Sequence, residues 1–290
     1  MNPFPIPVVA IGPGSQQEEV ELDYMSMPQG MQTYAMPILP EPDEIADLQQ
    51  AHQVLREILS ALKIAADGGS VQPINLAQLD VDNLRLINQV LGEGEVSVRV
   101  EGSVSIQIQE AVFAGVWRVV VSEAGRVSAD RIEVGAIPEV VISAARNATQ
   151  SVAARAIQTI EIPEQLPALV MNAPSIIAEL NEQILTWRSG MPAHVINLTL
   201  LPLSPEDVAF LEERLIGGNV LILSRGYGNC RIISTLVPNC WRVTYYNSSD
   251  TIILSTLEVI DIPDVACAAL EDLQDSCVRL AEVLEWVEGV

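Results

Sequence analysis

The chain contains the same pattern twice, and this constrains its fold more than any other feature. The stretch LDVDNLRLINQVLGEGEVSVRVEGSVSIQIQEAVFAGVWRVVV begins at Leu79, and LSPEDVAFLEERLIGGNVLILSRGYGNCRIISTLVPNCWRVTY begins at Leu203. Laid over each other without gaps at a shift of 203 − 79 = 124, they match Leu91 with Leu215, Gly94 with Gly218 and Gly102 with Gly226. Trp117-Arg118-Val119 falls on Trp241-Arg242-Val243. One residue of drift then brings Glu133-Val134 onto Glu258-Val259 and Ile137-Pro138 onto Ile262-Pro263. A period of this length reads as one structural unit used twice.

Each unit follows one plan. An apolar-periodic helix over residues 42–64, or 173–187, leads into a short strand at Ile74-Asn75-Leu76 or Ile196-Asn197-Leu198. A second helix follows. In the later unit Ser204 is its N-cap, Pro205 its first residue and Gly217-Gly218 its stop. β-rich runs separated by GYGN, PN and SSD come next, and a helix after Ile-Pro closes the unit. The expected fold is α+β, with two tandem duplicated modules, each a mainly antiparallel β-sheet backed by helices. Residues 41–160 form the first module and 161–290 the second, after an extended Met/Pro-rich arm over 1–40.

Charge excludes several partners. Acidic residues outnumber basic ones 38 to 15, a net charge of −23, so phosphate backbones and anionic lipid are repelled and a basic partner is favoured. No stretch reaches the roughly 18 uninterrupted apolar residues of a membrane span, and the N-terminus lacks the basic start of a secretion signal. A cytoplasmic protein is expected, without nucleic acid or membrane insertion. Four cysteines without CxxC spacing agree with a reducing compartment.

The repeat also serves as a control on candidate sites. Cys230, Cys240, Cys267 and Cys277 could be metal ligands, and Cys230 a nucleophile, but their counterparts are Ile106, Val116, Ile142 and Val152. Because cysteine behaves as a small hydrophobe, shared core slots are the economical reading. His52 lies on the apolar face of the first helix and His194 precedes a strand, and neither has ligand spacing. The turn beginning at Gly226 reads as a hairpin with a positive φ, since strands flank it and no helix faces it. Tyr227, Gly228, Asn229 and Arg231 have no equivalents in the first unit, nor do Asn247, Ser248 and Asp250 of the next turn. These residues are either plain turns or a recognition surface. The cluster holding Met25, Met27 and Met31 is either a linker or an adaptable apolar strap for a partner. Trp117 and Trp241, being shared, read as core anchors.

The segments GYGNCRIIST and NCWRVTYYNSSDTIILSTLEVIDIPDVACAALEDLQDS resemble the C-terminal region of the HupH/HyaF (HoxQ-like) hydrogenase expression proteins. AIGPGSQ, LDYMSMP, GMQTY and LPEPDE are similar to that family near its start. The chain departs from the pattern at Cys240-Trp241-Arg242, where the family has an aliphatic before two tryptophans. The resemblance implies a non-catalytic, cofactor-free maturation factor for nickel–iron (NiFe) hydrogenase. It would hold the iron–sulfur small-subunit precursor, alone or with a thioredoxin-like co-chaperone, before export. The alternatives left open are an iron–sulfur or metal carrier using the cysteines, and an enzyme with Cys230 as nucleophile.

Overall fold

A computed structural model describes residues 45–151, 159–226 and 228–288. The arm at 1–40, with Met25, Met27 and Met31, lies outside the described residues, as does Tyr227.

Helix α1 (Gln49–Ala66) forms because apolar residues recur every three or four positions, and Ala51, Val54, Leu55, Ile58 and Leu62 are all buried. After the two-residue strand β1 (Ile74–Asn75), Asp80 caps α2 (Val81–Leu91) by accepting the Asn83 N–H at 2.8 Å. Strands β2 (Val96–Val100), β3 (Ser105–Glu110), β4 (Val116–Glu123) and β5 (Arg126–Val134) follow, then α3 (Glu139–Ser151). The same sequence of elements recurs as α4 (Ala173–Thr186), β6 (His194–Asn197), α5 (Pro205–Leu215), β7 (Ile216–Ser224), β8 (Asn229–Thr235), β9 (Cys240–Tyr246), β10 (Ile252–Val259) and α6 (Leu270–Glu288). The expected cap of α5 is present. Ser204 Oγ accepts the Asp207 N–H at 3.0 Å and Asp207 Oδ2 accepts the Ser204 N–H at 3.1 Å, a reciprocal pair that satisfies two donors the helix leaves open.

The ten strands make one sheet, in the order β1-β5-β4-β3-β2-β7-β8-β9-β10-β6, and every pairing is antiparallel. The order outward from the middle is the same on both sides. Where the sequence suggests a sheet in each half, β2 and β7 pair along Val96↔Ser224 to Val100↔Val220 and fuse the two. These inner strands thereby pair with each other, and neither half keeps an exposed edge at the middle of the molecule.

The shared glycines have a steric reason to be shared. A Cβ on Gly94 would strike the carbonyl of Ala111, and a Cβ on Gly218 the carbonyl of Ser234, so both halves need a bare backbone at the entrance to the sheet.

Among the described residues, three cores hold the fold. Register divides the sheet into two faces. On the first, Trp117, Val119, Ile108, Val98, Ile222, Ile232, Val243 and Trp241 pack with Val141 of α3 and Ala266. On the second, α1, α2 and α6 cover Val116 and Ile132 at one end, while α4 and α5 cover Cys240, Leu257 and Val259 at the other. The halves also exchange support. Leu273, Leu280, Leu284 and Val287 of α6 belong to the same core as Leu55, Ile58 and Leu62 of α1. Both tryptophans are fully buried, and each ring N–H reaches a carbonyl, Trp117 that of Gly135 at 2.9 Å and Trp241 that of Ile260 at 3.2 Å.

Candidate interaction surface

Register brings the two singled-out turns to one rim of the sheet. Asn229 pairs with Tyr246, so the turn before β8 and the turn after β9 are neighbours in space although 19 residues separate Gly228 from Asn247. Gly228 adopts φ +97°, a left-handed conformation suited to glycine, whereas the shared Gly226 is constrained by the Glu95 carboxylate lying against it. The positive φ expected in this turn therefore falls on the residue unique to the second half. Asn247 shapes its own turn, its Oδ1 accepting the N–H groups of Ser249 at 2.9 Å and Thr251 at 3.0 Å. Ser248 and Asp250 are exposed there, and Asp250 has φ +56°.

Arg231 points to the opposite face of the sheet from its neighbours Cys230 and Ile232. Its Nε is buried without a hydrogen-bond partner among the described residues. Following the pairings across the sheet, Arg99↔Leu221, Leu221↔Ile233 and Ile233↔Arg242 place Arg99 and Arg242 on that same face. The stretch of face between the two helical layers thus carries three arginines in a strongly acidic chain. The sequence signalled only Arg231, because alternation cannot align β2 with β8 and β9 until the pairing is known.

The cysteines are distributed among the cores. Cys230 packs with Trp241 on the first face, Cys240 packs with α4 and α5 on the second, and Cys277 lies against the α1–α6 core. Cys267 Sγ is 3.8 Å from the Pro263 carbonyl oxygen. Adjacent strands thus send Cys230 and Cys240 to opposite sides of the sheet. Burial pushes the thiols of Cys230, Cys240 and Cys267 up to about 12, and that of Cys277 upward as well. A thiol held this far up is protonated at neutral pH, and thiolate is the form that attacks and ligates.

Two carboxyls are also displaced. Burial raises Glu110 to about 7 against hydrogen bonds that include the Gly115 N–H at 3.2 Å. Burial raises Glu258 too, opposed by the Thr256 hydroxyl at 2.9 Å and reinforced by the Asp264 charge. In the first half the equivalent Glu133 pairs with Arg131 at 2.8 Å, and Thr256 stands where that arginine would be.

Apolar exposure is unevenly spread. Among the described residues up to 151 the exposed large apolar side chains are Ile64, Val81 and Val127. The second half exposes many more, including Leu169, Met171, Val195, Leu200, Ile252 and Ile253. Scattered apolar residues are ordinary on a surface, whereas a contiguous apolar patch is the feature associated with binding sites. No helix among the described residues is long and apolar enough to cross a membrane.

Comparison with known proteins follows the same two-part division. The family described as HupH hydrogenase expression protein, C-terminal conserved region, matches twice, over residues 48–162 and 170–287. The chain is 56% identical over 290 residues to the hydrogenase expression/formation protein HoxQ of Cupriavidus necator, covering 100% of both. It is 46% identical over 289 residues to the hydrogenase expression/formation protein HupH of Rhodobacter capsulatus, covering 98% of each. It is 31% identical over 283 residues to the hydrogenase-1 operon protein HyaF of Escherichia coli, covering 96% of this chain and 95% of that protein. A solved structure, hydrogenase expression protein HupH from Thiobacillus denitrificans, is 26% identical, covers 39% of this chain and 93% of its own, and aligns with a TM-score of 0.34.

Proposed function

Since the chain belongs to the HupH hydrogenase expression protein family and its relatives are hydrogenase expression/formation proteins, we propose that it is a non-catalytic maturation factor binding the iron–sulfur small-subunit precursor of a nickel–iron hydrogenase. The observation that carries this reading is the concentration of exposed apolar side chains in the second half, Leu169, Met171, Val195 and Leu200 among them. A protein that holds an immature polypeptide needs apolar surface, and it needs no catalytic constellation. The net charge of −23 supports the same reading, because it attracts a client with basic segments and speeds their encounter. Binding takes place in the cytoplasm, before export, and a thioredoxin-like co-chaperone can share the client. The cysteines serve as packing, in keeping with their high thiol values and their dispersal among separate cores.

The test is co-purification of the tagged full-length chain with the small-subunit precursor, at low and high salt, and again without residues 1–40. Association that weakens with salt supports the proposal. Its absence from the full-length chain overturns it. The shortened chain reports whether Met25, Met27 and Met31 contribute.

A further inference from the structure

The two edges of the sheet differ. At one end β1 is only two residues long and follows Pro73, which blunts it for strand pairing. At the other end β6 (His194-Val195-Ile196-Asn197) has no lysine, proline or bulge to discourage pairing.

The direction of its backbone groups follows from its neighbours. The Ser255 N–H points toward the β6 side, donating to Thr199 Oγ1 at 2.7 Å, and the Ile260 N–H points toward the β9 side, donating to the Asn239 carbonyl at 2.8 Å. Main-chain groups alternate along a strand, so Leu257 faces β6 and Glu258 faces β9. The register Leu257↔Ile196 and Glu258↔Val195 then turns the N–H and C=O of Ile196 inward and those of Val195 outward. Among the described residues nothing bonds to the outward pair on Val195. The Val195 side chain is 49% exposed, and Leu200 at 80% and Ile253 at 56% continue the apolar edge beyond it.

We infer that β6 is the docking edge, extended by the client as an eleventh strand, through an apolar segment flanked by basic residues. This deepens the proposed function and rests on it. Strand addition supplies affinity through main-chain bonds and specificity through alternate side chains. The occupant is a basic client and not a second copy of this chain, because two copies, each of net charge −23, repel one another as whole molecules.

The experiment measures binding of the full-length chain to the purified small-subunit precursor, comparing the unaltered protein with Val195→Pro. That substitution deletes an outward donor and leaves the Ile196–Leu257 pairing intact, so circular dichroism and Tm should be unchanged. Binding about tenfold weaker is expected for one lost hydrogen bond with its partner stranded. A second variant, Leu200→Glu, tests the apolar extension without touching any backbone group and should also weaken binding. Unaltered affinity in both variants overturns the docking edge while leaving the proposed function standing. Failure of the unaltered chain to bind removes both. A dimer that Val195→Pro converts to monomer assigns the edge to a second copy and overturns the inference.

Discussion

Asp207 Oδ1 accepts the main-chain N–H of Ala173 at 3.0 Å, tying α5 to the first residue of α4. The same oxygen accepts the N–H groups of Met171 at 2.8 Å and Asn172 at 2.9 Å. In the other half Asn83, which stands at the equivalent position, accepts the Ala51 N–H at 2.8 Å. Burial alone would raise the Asp207 carboxyl, but the donated N–H groups of Ala173, Ser204, Met171 and Asn172 outweigh it and hold the group below its ordinary 3.8. Asp207→Ala leaves these donors stranded and should cost about 2–4 kcal/mol in urea unfolding. A depressed carboxyl contributes fully above its unfolded value and loses that contribution as pH falls through the folded one. The difference between wild type and Asp207→Ala should therefore shrink below about pH 4.

Trp241→Ala empties a slot in the central core and removes the ring N–H bond to Ile260. Loss of about 3–5 kcal/mol is expected by chemical denaturation. A loss below about 1 kcal/mol would show that the ring is not an anchor.

Glu110 moves the other way with pH. Its folded value of about 7 lies above the ordinary 4.5, so between them the folded state holds the proton more tightly than the unfolded chain does. Stability should then fall as pH rises through this window, by about 3 kcal/mol in all, and level off above it. Glu110→Gln should flatten the slope. Urea midpoints at pH 5 and pH 8 for both proteins make the comparison.

For the cysteines, slow alkylation is expected. Buried, protonated thiols at Cys230 and Cys240 should react with iodoacetamide far more slowly in native protein than in urea. Cys240→Val, which installs the residue found in the first half, should keep Tm within a few degrees. Zinc or iron retained by anaerobically purified protein in proportion to chain would instead mark these thiols as ligands.

What the sequence made legible was local or repeated. The Ser204 cap, the turns and the two tryptophans follow from nearest neighbours and from the 124-residue shift. The likeness of Cys230 to Ile106 pointed the same way as the cores in which both lie buried. Continuity of the sheet was not legible, because alternation along β2 and β7 specifies a face and not a partner strand. For the same reason the shared face of Arg99, Arg231 and Arg242 emerged only from the pairing. The apolar stripe of α6 was plain in the sequence, but a stripe does not say which core it closes.

The placement of α6 has a consequence for the order of synthesis. Leu273, Leu280, Leu284 and Val287 complete a core that includes Leu55 and Ile58, so a ribosome must deliver residue 287 before α1 is fully sheltered. Until then the nascent chain keeps greasy surface uncovered, and its opening half waits on its closing one.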